Sequence, residues 1–232
     1  MTDVSFVDGL VRFIFVAVLI TAAFLLSTRS LPSLLRTYQL QSLLLAMLAV
    51  VFSFVEGSAV LLWIAILTVV SKVLVIPYFI GEIQERISIR RDLEFHYLAP
   101  ASSILVSIAL IIGVYLSLGN ILSSAYAKVE PIFFFGAVIG ISLMLMGMLV
   151  IFSRTKAITK VLGFLSMENG VLLFGICVTE LPFIIEVMIM IDLIILILLT
   201  TILTVGIDST IEAYNEKVRQ YSLWTVREED AP

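Results

Sequence analysis

The sequence has few of the residues from which soluble catalytic and metal sites are built. Its 232 residues include one cysteine, Cys177, and one histidine, His96. A single cysteine forms no internal disulfide and no cysteine-based metal site, and a single histidine excludes a multi-histidine centre. No phosphate-binding loop or nucleophile–base pair is evident in the sequence either. We therefore predict no catalytic residue, no metal and no cofactor in this chain.

Charged residues are also scarce. Asp, Glu, Lys and Arg make up 14% of the chain, against about 25% in soluble proteins, and hydrophobic residues make up 61%, against about 45–50%. The mean hydropathy is +1.16. Apolar runs of about 15 to 25 residues recur along the sequence, and about 20 such residues span a bilayer. This composition excludes a soluble enzyme, a nucleic-acid-binding protein and a secreted disulfide scaffold, and it predicts a multi-pass membrane protein.

The predicted fold class is all-α, with seven transmembrane helices. The predicted spans are residues 10–27, 38–54, 58–80, 98–118, 131–152, 161–178 and 182–207. Pro100, Pro131 and Pro182 fall in first turns, where a missing N–H costs little. Pro77 instead lies inside the third span, so we expect the carbonyl of Val73, four residues earlier, to lose its helical hydrogen bond.

The basic residues indicate the orientation. On the side where the chain ends, eleven lie in the predicted loops and tail: Arg29, Arg36, Arg86, Arg90, Arg91, Arg154, Lys156, Lys160, Lys217, Arg219 and Arg227. The other side has only Arg12 and Lys128. Because cytoplasmic loops carry the excess of Lys and Arg, we predict an outside N-terminus and a cytoplasmic C-terminus in the cell (inner) membrane. Lys72 is the remaining basic residue, and it lies inside the third span.

Two predicted hairpins resemble each other. Each begins with a polar stretch, 37–42 in the first and 164–169 in the second, followed by a helix, a turn with an acid and a helix with a charged residue. We interpret the chain as one membrane domain, 1–232, made of two three-helix units. The units are residues 10–97 and 131–207, with a linking helix 98–118 and a cytoplasmic tail 208–232. The residue spacing differs between them, so an unrelated similarity of two hairpins stays open.

The ionisable residues inside the spans are the strongest functional signal, since a charge at a helix centre costs about 2.5–3.5 kcal/mol on insertion scales. Lys72, Glu168 and Asp192 lie well inside spans three, six and seven. Glu168 and Asp192 are at similar depth, about 12 and 15 Å from the nearest predicted helix end. Glu186 lies about one turn inside the outer end of span seven, where a side chain that extends to the interface is the simpler interpretation.

These residues suggest a proton relay. Burial disfavours the charged forms of carboxyl and amine groups, so the two can exchange protons in partly hydrated protein. We assign Lys72, Glu168, Asp192 and Glu186 to this relay. The supporting polar groups are Gln39, Gln41 and Asn169. The alternative is a charge pair that only holds helices together.

The residues also suggest a family. The run 162–170, Leu-Gly-Phe-Leu-Ser-Met-Glu-Asn-Gly, followed by Glu186 and Asp192, resembles the E component of hydrogenase-4, whose C-terminal half is similar to the K subunit of complex I. The upstream stretches 38–43 and 71–77 fit the same family, and the similarity covers about residues 10 to 205. Glu168 matches the first intramembrane glutamate of the K subunit through the shared Ser-x-Glu. Asp192 falls where the second would be, with Asp in place of Glu.

The resemblance implies a non-catalytic subunit in the membrane arm of a complex-I-like, group 4 [NiFe]-hydrogenase or formate hydrogenlyase type assembly. Its expected partners are antiporter-like and quinone-site-type membrane subunits, together with cytoplasmic iron–sulfur and hydrogenase-like subunits. Its expected role is proton (or sodium) translocation coupled to redox chemistry in those other subunits. Two alternatives remain open, a stand-alone secondary ion-coupled transporter that uses Lys72, Glu168 and Asp192, and a scaffold without a transport role.

Overall fold

The computed structural model describes residues 2–28, 30–86, 100–121, 131–154 and 157–178, and separate residues between 190 and 201. These parts of the chain are almost entirely helical. The helices are α1 (Thr2–Ser27), α2 (Leu31–Glu56), α3 (Ala59–Thr68), a π-helical segment (Val69–Val75), α4 (Ile76–Arg86), α5 (Pro100–Ile121), α6 (Pro131–Ser153) and α7 (Ala157–Val178).

Six helices in the described part of the chain are long and apolar enough to cross a membrane. Five of them are α1, α2, α5, α6 and α7, and the sixth runs continuously through α3, the π-helical segment and α4. The prediction of a multi-pass helical membrane protein is thus confirmed. Most of the predicted seventh span, 182–207, lies outside the described residues, although those described from residue 190 onward are helical.

The helix boundaries follow the prolines. α5 begins at Pro100 and α6 at Pro131, as predicted from their tolerance at first-turn positions. α2 begins at Leu31, earlier than the predicted start at residue 38, because Pro32 also serves as a first-turn residue. Arg36 consequently lies within a helix and not in the preceding loop.

The helix that carries Lys72 changes its hydrogen bonding around Pro77. The Ile76 N–H donates to the carbonyl of Ser71, five residues earlier, which is the π-helical pattern. Pro77 has no N–H to offer the Val73 carbonyl. That carbonyl instead accepts a hydrogen bond from Gln39 Nε2 on α2, at 3.2 Å. The predicted effect of Pro77 is confirmed, and the helix widens without breaking.

Helices α6 and α7 pack with their backbones in contact at glycines. A Cβ atom on Gly147 would lie 2.5 Å from the Met167 nitrogen, and one on Gly170 would lie 2.6 Å from the Met144 nitrogen. Gly140, part of a G-x-x-x-G pattern, meets α7 in the same way. Such small residues allow close approach of membrane helices. These glycine contacts fix the face of α7 that packs against α6.

Arg154, expected in a solvated loop, is buried instead. It follows α6 directly and is 2% exposed. Its Nη2 donates to the carbonyls of Leu26 and Thr28, at 3.1 and 2.7 Å, and lies 3.4 Å from that of Leu25. These carbonyls belong to the C-terminal end of α1, where helical partners are lacking and positive charge is favourable. Burial lowers the pKa of Arg154 to about 10, which leaves it charged at neutral pH.

Two apolar clusters hold the bundle together. The larger joins α1, α2, α3, α6 and α7 through side chains such as Phe15, Leu48 and Leu143. The second lies toward the start of α2 and the end of the π-helical region, where Tyr38 and Ile76 pack with Ile195. Through this second cluster, Ile191 and Ile195 pack against α2 and α7. Asp192 follows Ile191 directly and so lies in the same region.

Candidate functional site

A lysine lies at the centre of the bundle. The Lys72 side chain projects from the π-helical segment and is 0% exposed. Its Nζ lies 2.8 Å from Oε1 of Glu168 on α7, which is itself 2% exposed. Removing one partner of a buried ion pair costs about 3–5 kcal/mol, because the other charge is left uncompensated in the interior. Lys72 thus faces the protein interior and not lipid, as the cost of a charge in lipid requires.

A second acid extends this pair. Asp192 lies close enough to Glu168 for the two carboxyls to interact electrostatically, and both Asp192 carboxyl oxygens are shielded from solvent. Lys72, Glu168 and Asp192 therefore form a row of three ionisable groups, an amine followed by two carboxyls.

Neutral polar groups surround the other side of Lys72. Asn169 Oδ1 lies 3.4 Å from Lys72 Nζ. Asn169 Nδ2 donates to Gln41 Oε1 at 3.2 Å and to Ser42 Oγ at 2.9 Å. Ser166 Oγ donates to the same Gln41 oxygen at 3.0 Å. Because both N–H groups of Asn169 have acceptors, this network assigns its carbonyl oxygen to the side of the lysine.

The polar stretches 37–42 and 164–169, which suggested two similar hairpins, meet at this network. Ser166 and Asn169 of α7 bond to Gln41 and Ser42 of α2. Helices α1 and α6 end side by side, so α2 and α7, which follow them, start at the same end of the bundle and run in the same direction. The polar faces are thus buried against each other, which satisfies groups that lipid could not.

Gln39 does not join this network. Its amide bonds to the Val73 carbonyl, beside Lys72 in the chain but outside the cluster of Gln41 and Asn169. One helical residue corresponds to about 100° of rotation, so Gln39 and Gln41 point in different directions from α2. Gln39 supports the shape of the lysine-bearing helix, whereas Gln41 supports the orientation of Asn169.

Tyr38 is a site residue that the sequence reasoning missed. It is 0% exposed and lies close to Ser42, Glu168 and Asp192. The available signal was its spacing, since Tyr38, Gln41 and Ser42 are three and four residues apart and share one face of a helix. Tyr38 was included in the polar stretch 37–42 but was not assigned to the site.

Two residues singled out from the sequence, Glu186 and His96, lie outside the described residues. Within the parts of the chain that the structure describes, no group of three His, Cys, Asp or Glu side chains is placed to hold a metal ion. Comparisons with protein-family models, curated proteins and solved structures give no match.

Proposed function

We propose that this protein is a membrane-arm subunit of a complex-I-like, group 4 [NiFe]-hydrogenase or formate hydrogenlyase type assembly. In this proposal it contributes Lys72, Glu168 and Asp192 to proton (or sodium) translocation. Redox chemistry takes place in other subunits. The resemblance of residues 162–170 to the E component of hydrogenase-4 supports the family. The buried pair of Lys72 and Glu168, at 2.8 Å, carries the functional argument.

The second carboxyl distinguishes a proton relay from a charge pair that only holds helices together. Such a pair needs one amine and one acid, whose opposite charges already cancel. Asp192 adds a second acid close to Glu168, and electrical balance in the cluster then requires one more positive charge. A proton shared by the two carboxyls supplies it and can move when the field of a neighbouring subunit changes. Moving one charge across about 100 mV takes about 2.3 kcal/mol, which is in the range of electrostatic coupling between close charges.

The partners that fit this role are the antiporter-like and quinone-site-type membrane subunits on either side. Cytoplasmic iron–sulfur and hydrogenase-like subunits would supply the energy. A stand-alone secondary transporter is the second candidate. Transporters of that kind bind substrate at discontinuous helices with free half-helix ends. Here the helix carrying Lys72 is continuous from Ala59 to Arg86, so the assembly subunit is the better-supported proposal.

The first experiment is affinity purification of the tagged full-length chain from native membranes. Co-purification of iron–sulfur and antiporter-like subunits is expected, and an isolated chain would favour the transporter. The second is Glu168→Gln, which keeps the shape and polarity of the side chain. We expect the assembly to form and redox-coupled ion translocation to fall sharply. Glu56→Gln, at an exposed glutamate, is the matched control, and normal coupling in an assembled Glu168→Gln complex would contradict the relay.

A further inference from the structure

Tyr38 carries a hydroxyl that is buried in the bundle without a protein partner. The residue is 0% exposed, and among the described residues its Oη atom has no hydrogen-bond partner. Buried polar groups in native proteins are nearly always hydrogen-bonded, so an unsatisfied hydroxyl needs a physical explanation. A phenol keeps its proton at neutral pH and can donate one hydrogen bond. Tyr38 is thus an unused donor in the interior of the protein.

Unused acceptors lie beside this donor. Oε2 of Glu168 and both carboxyl oxygens of Asp192 are shielded from solvent and have no hydrogen-bond partner in the described part of the chain. Tyr38 lies close to both acids. The Lys72 ammonium lies 2.8 Å from the other oxygen of Glu168, Oε1, which leaves Oε2 to a different donor. The structure therefore places an unused hydroxyl next to unused carboxyl oxygens.

Ser42, four residues further along α2, also lies close to Tyr38. Its oxygen accepts a hydrogen bond from Asn169 Nδ2 at 2.9 Å. A hydroxyl that accepts in this way still has its own proton to donate, and the Tyr38 oxygen can accept it. The proton of Tyr38 is then left for a carboxyl.

Apolar packing holds the ring of Tyr38 against the helices that carry the acids. The ring belongs to the buried cluster that includes Leu165 and Ile195. Leu165 precedes Glu168 by three residues, and Ile195 follows Asp192 by three. Residues three apart lie on the same side of a helix. The packing that buries the ring thus places Tyr38 on the side of each helix from which its acid projects.

We propose that Tyr38 is a positioning residue for the proton shared by Glu168 and Asp192, and that its hydroxyl donates a hydrogen bond to this carboxyl pair. The inference rests on the proposed function, which supplies the shared proton. A hydrogen bond donated to a carboxyl group favours its ionised form. The pair carries one more negative charge without the proton than with it, so the hydroxyl stabilises the proton-free form more. Among the described residues, Lys72 is the other charged group in contact with the pair, and it acts in the same direction.

The test is an infrared titration of the full-length protein, purified with any subunits that accompany it. A protonated carboxyl group has a C=O stretching band that the ionised group lacks. Wild type should show this band at neutral pH. Glu168→Gln or Asp192→Asn should each remove it, because one acid and one lysine need no further proton. In Tyr38→Phe, which keeps the ring, the pH at which half of the band is lost should rise by about one unit, since a hydrogen bond to a charged group is worth about one pKa unit.

Two further variants separate this role from a merely structural one. Tyr78→Phe, at a tyrosine that is 69% exposed, is the matched control and should titrate like wild type. A monofluorinated tyrosine at position 38 is a stronger donor of the same shape, so it should move the half-point to lower pH. A structural role of Tyr38 would alter thermal unfolding and leave both half-points at the wild-type value, and that result would overturn the proposal.

The outcomes also separate the role of Tyr38 from the proposed function. A missing carboxyl band in wild type would refute the shared proton, and the role of Tyr38 with it. A normal band with an unchanged half-point in Tyr38→Phe would refute the role of Tyr38 alone. A raised half-point in Tyr38→Phe, together with normal redox-coupled translocation in Glu168→Gln, would support the role of Tyr38 and refute the relay.

Discussion

The Nζ atom of Lys72 and the Oε1 atom of Glu168 lie 2.8 Å apart, and both side chains are shielded from solvent. One residue comes from a π-helical segment and the other from a helix whose backbone is held by glycine contacts. Neither helix is free to rotate without separating the charges. The π-helical segment positions Lys72, and the glycine contacts of α7 position Glu168. The distance between the two charges therefore depends on how several helices pack.

Replacing Lys72 tests whether the ion pair of Lys72 and Glu168 relays protons or only holds helices together. If the ammonium is part of a relay, Lys72→Met should abolish coupled translocation while the complex still assembles, since methionine fills a similar volume without the charge. If the pair is only structural, assembly or stability should change, whereas coupling in the assembled fraction should not. Ion uptake by reconstituted vesicles and thermal unfolding separate the two results. The double variant Lys72→Met/Glu168→Gln should recover stability without recovering translocation.

The amide of Asn169 should contribute strongly to stability. Asn169→Leu removes the amide donor from Ser42 and from Gln41, which keeps only Ser166, and it removes an acceptor from Lys72. Each buried polar group left unsatisfied costs about 1–3 kcal/mol, so we expect a loss of at least about 2 kcal/mol. Thermal unfolding in detergent measures the loss. Phe164→Leu, at a more exposed position of the same helix, is the control, and an equally small effect of both changes would contradict the network.

The glycine contacts predict opposite effects for two similar substitutions. Gly147→Ala places a Cβ atom 2.5 Å from the Met167 nitrogen, and overpacking of this kind costs about 1–3 kcal/mol. Gly113→Ala meets nothing within 4 Å and should stabilise α5 by up to about 1 kcal/mol, because alanine is the better helix former. Unfolding temperatures should therefore move in opposite directions. Destabilisation by both variants would show that helix contacts are not what separates them.

Arg154 should stabilise the end of α1. Arg154→Met removes the charged donor from the carbonyls of Leu26 and Thr28. Hydrogen bonds to charged groups contribute about 1.5–3 kcal/mol each, so the free energy of unfolding should fall by a few kcal/mol. Because the pKa is lowered only to about 10, Arg154 is protonated in both folded and unfolded states near neutrality. The loss should therefore be constant between about pH 5 and 8, and a pH-dependent difference in that range would contradict this account.

The orientation predicted from the basic residues is tested with reporters. A reporter fused after Pro232 should be cytoplasmic, and one placed before Met1 should be outside, because the eleven-to-two distribution of basic residues favours that topology. Protease protection or enzymatic reporters give the side directly. Both ends on the same side would mean an even number of spans, and reversed ends would contradict the charge distribution.

Several features of this protein followed from local chemistry in the sequence. The apolar runs predicted membrane-spanning helices because backbone groups in lipid must bond within the segment. Pro100 and Pro131 marked helix starts, and Pro77 predicted a free carbonyl at Val73. The cost of a charge in lipid placed Lys72 in the interior. Each of these inferences needs only a residue and its near neighbours along the chain.

Other features were decided by the tertiary structure. The rise per residue, about 1.5 Å, gives the depth of a side chain but not which helix lies beside it. The pairing of Lys72 with Glu168, the contact of Asn169 with Gln41 and the participation of Tyr38 depend on the rotation of neighbouring helices. That rotation was fixed by glycines on α6 and α7, whose small size has no counterpart in hydropathy or charge. The burial of Arg154 likewise required α1 and α6 to end side by side, a relation between distant segments that no local pattern specifies.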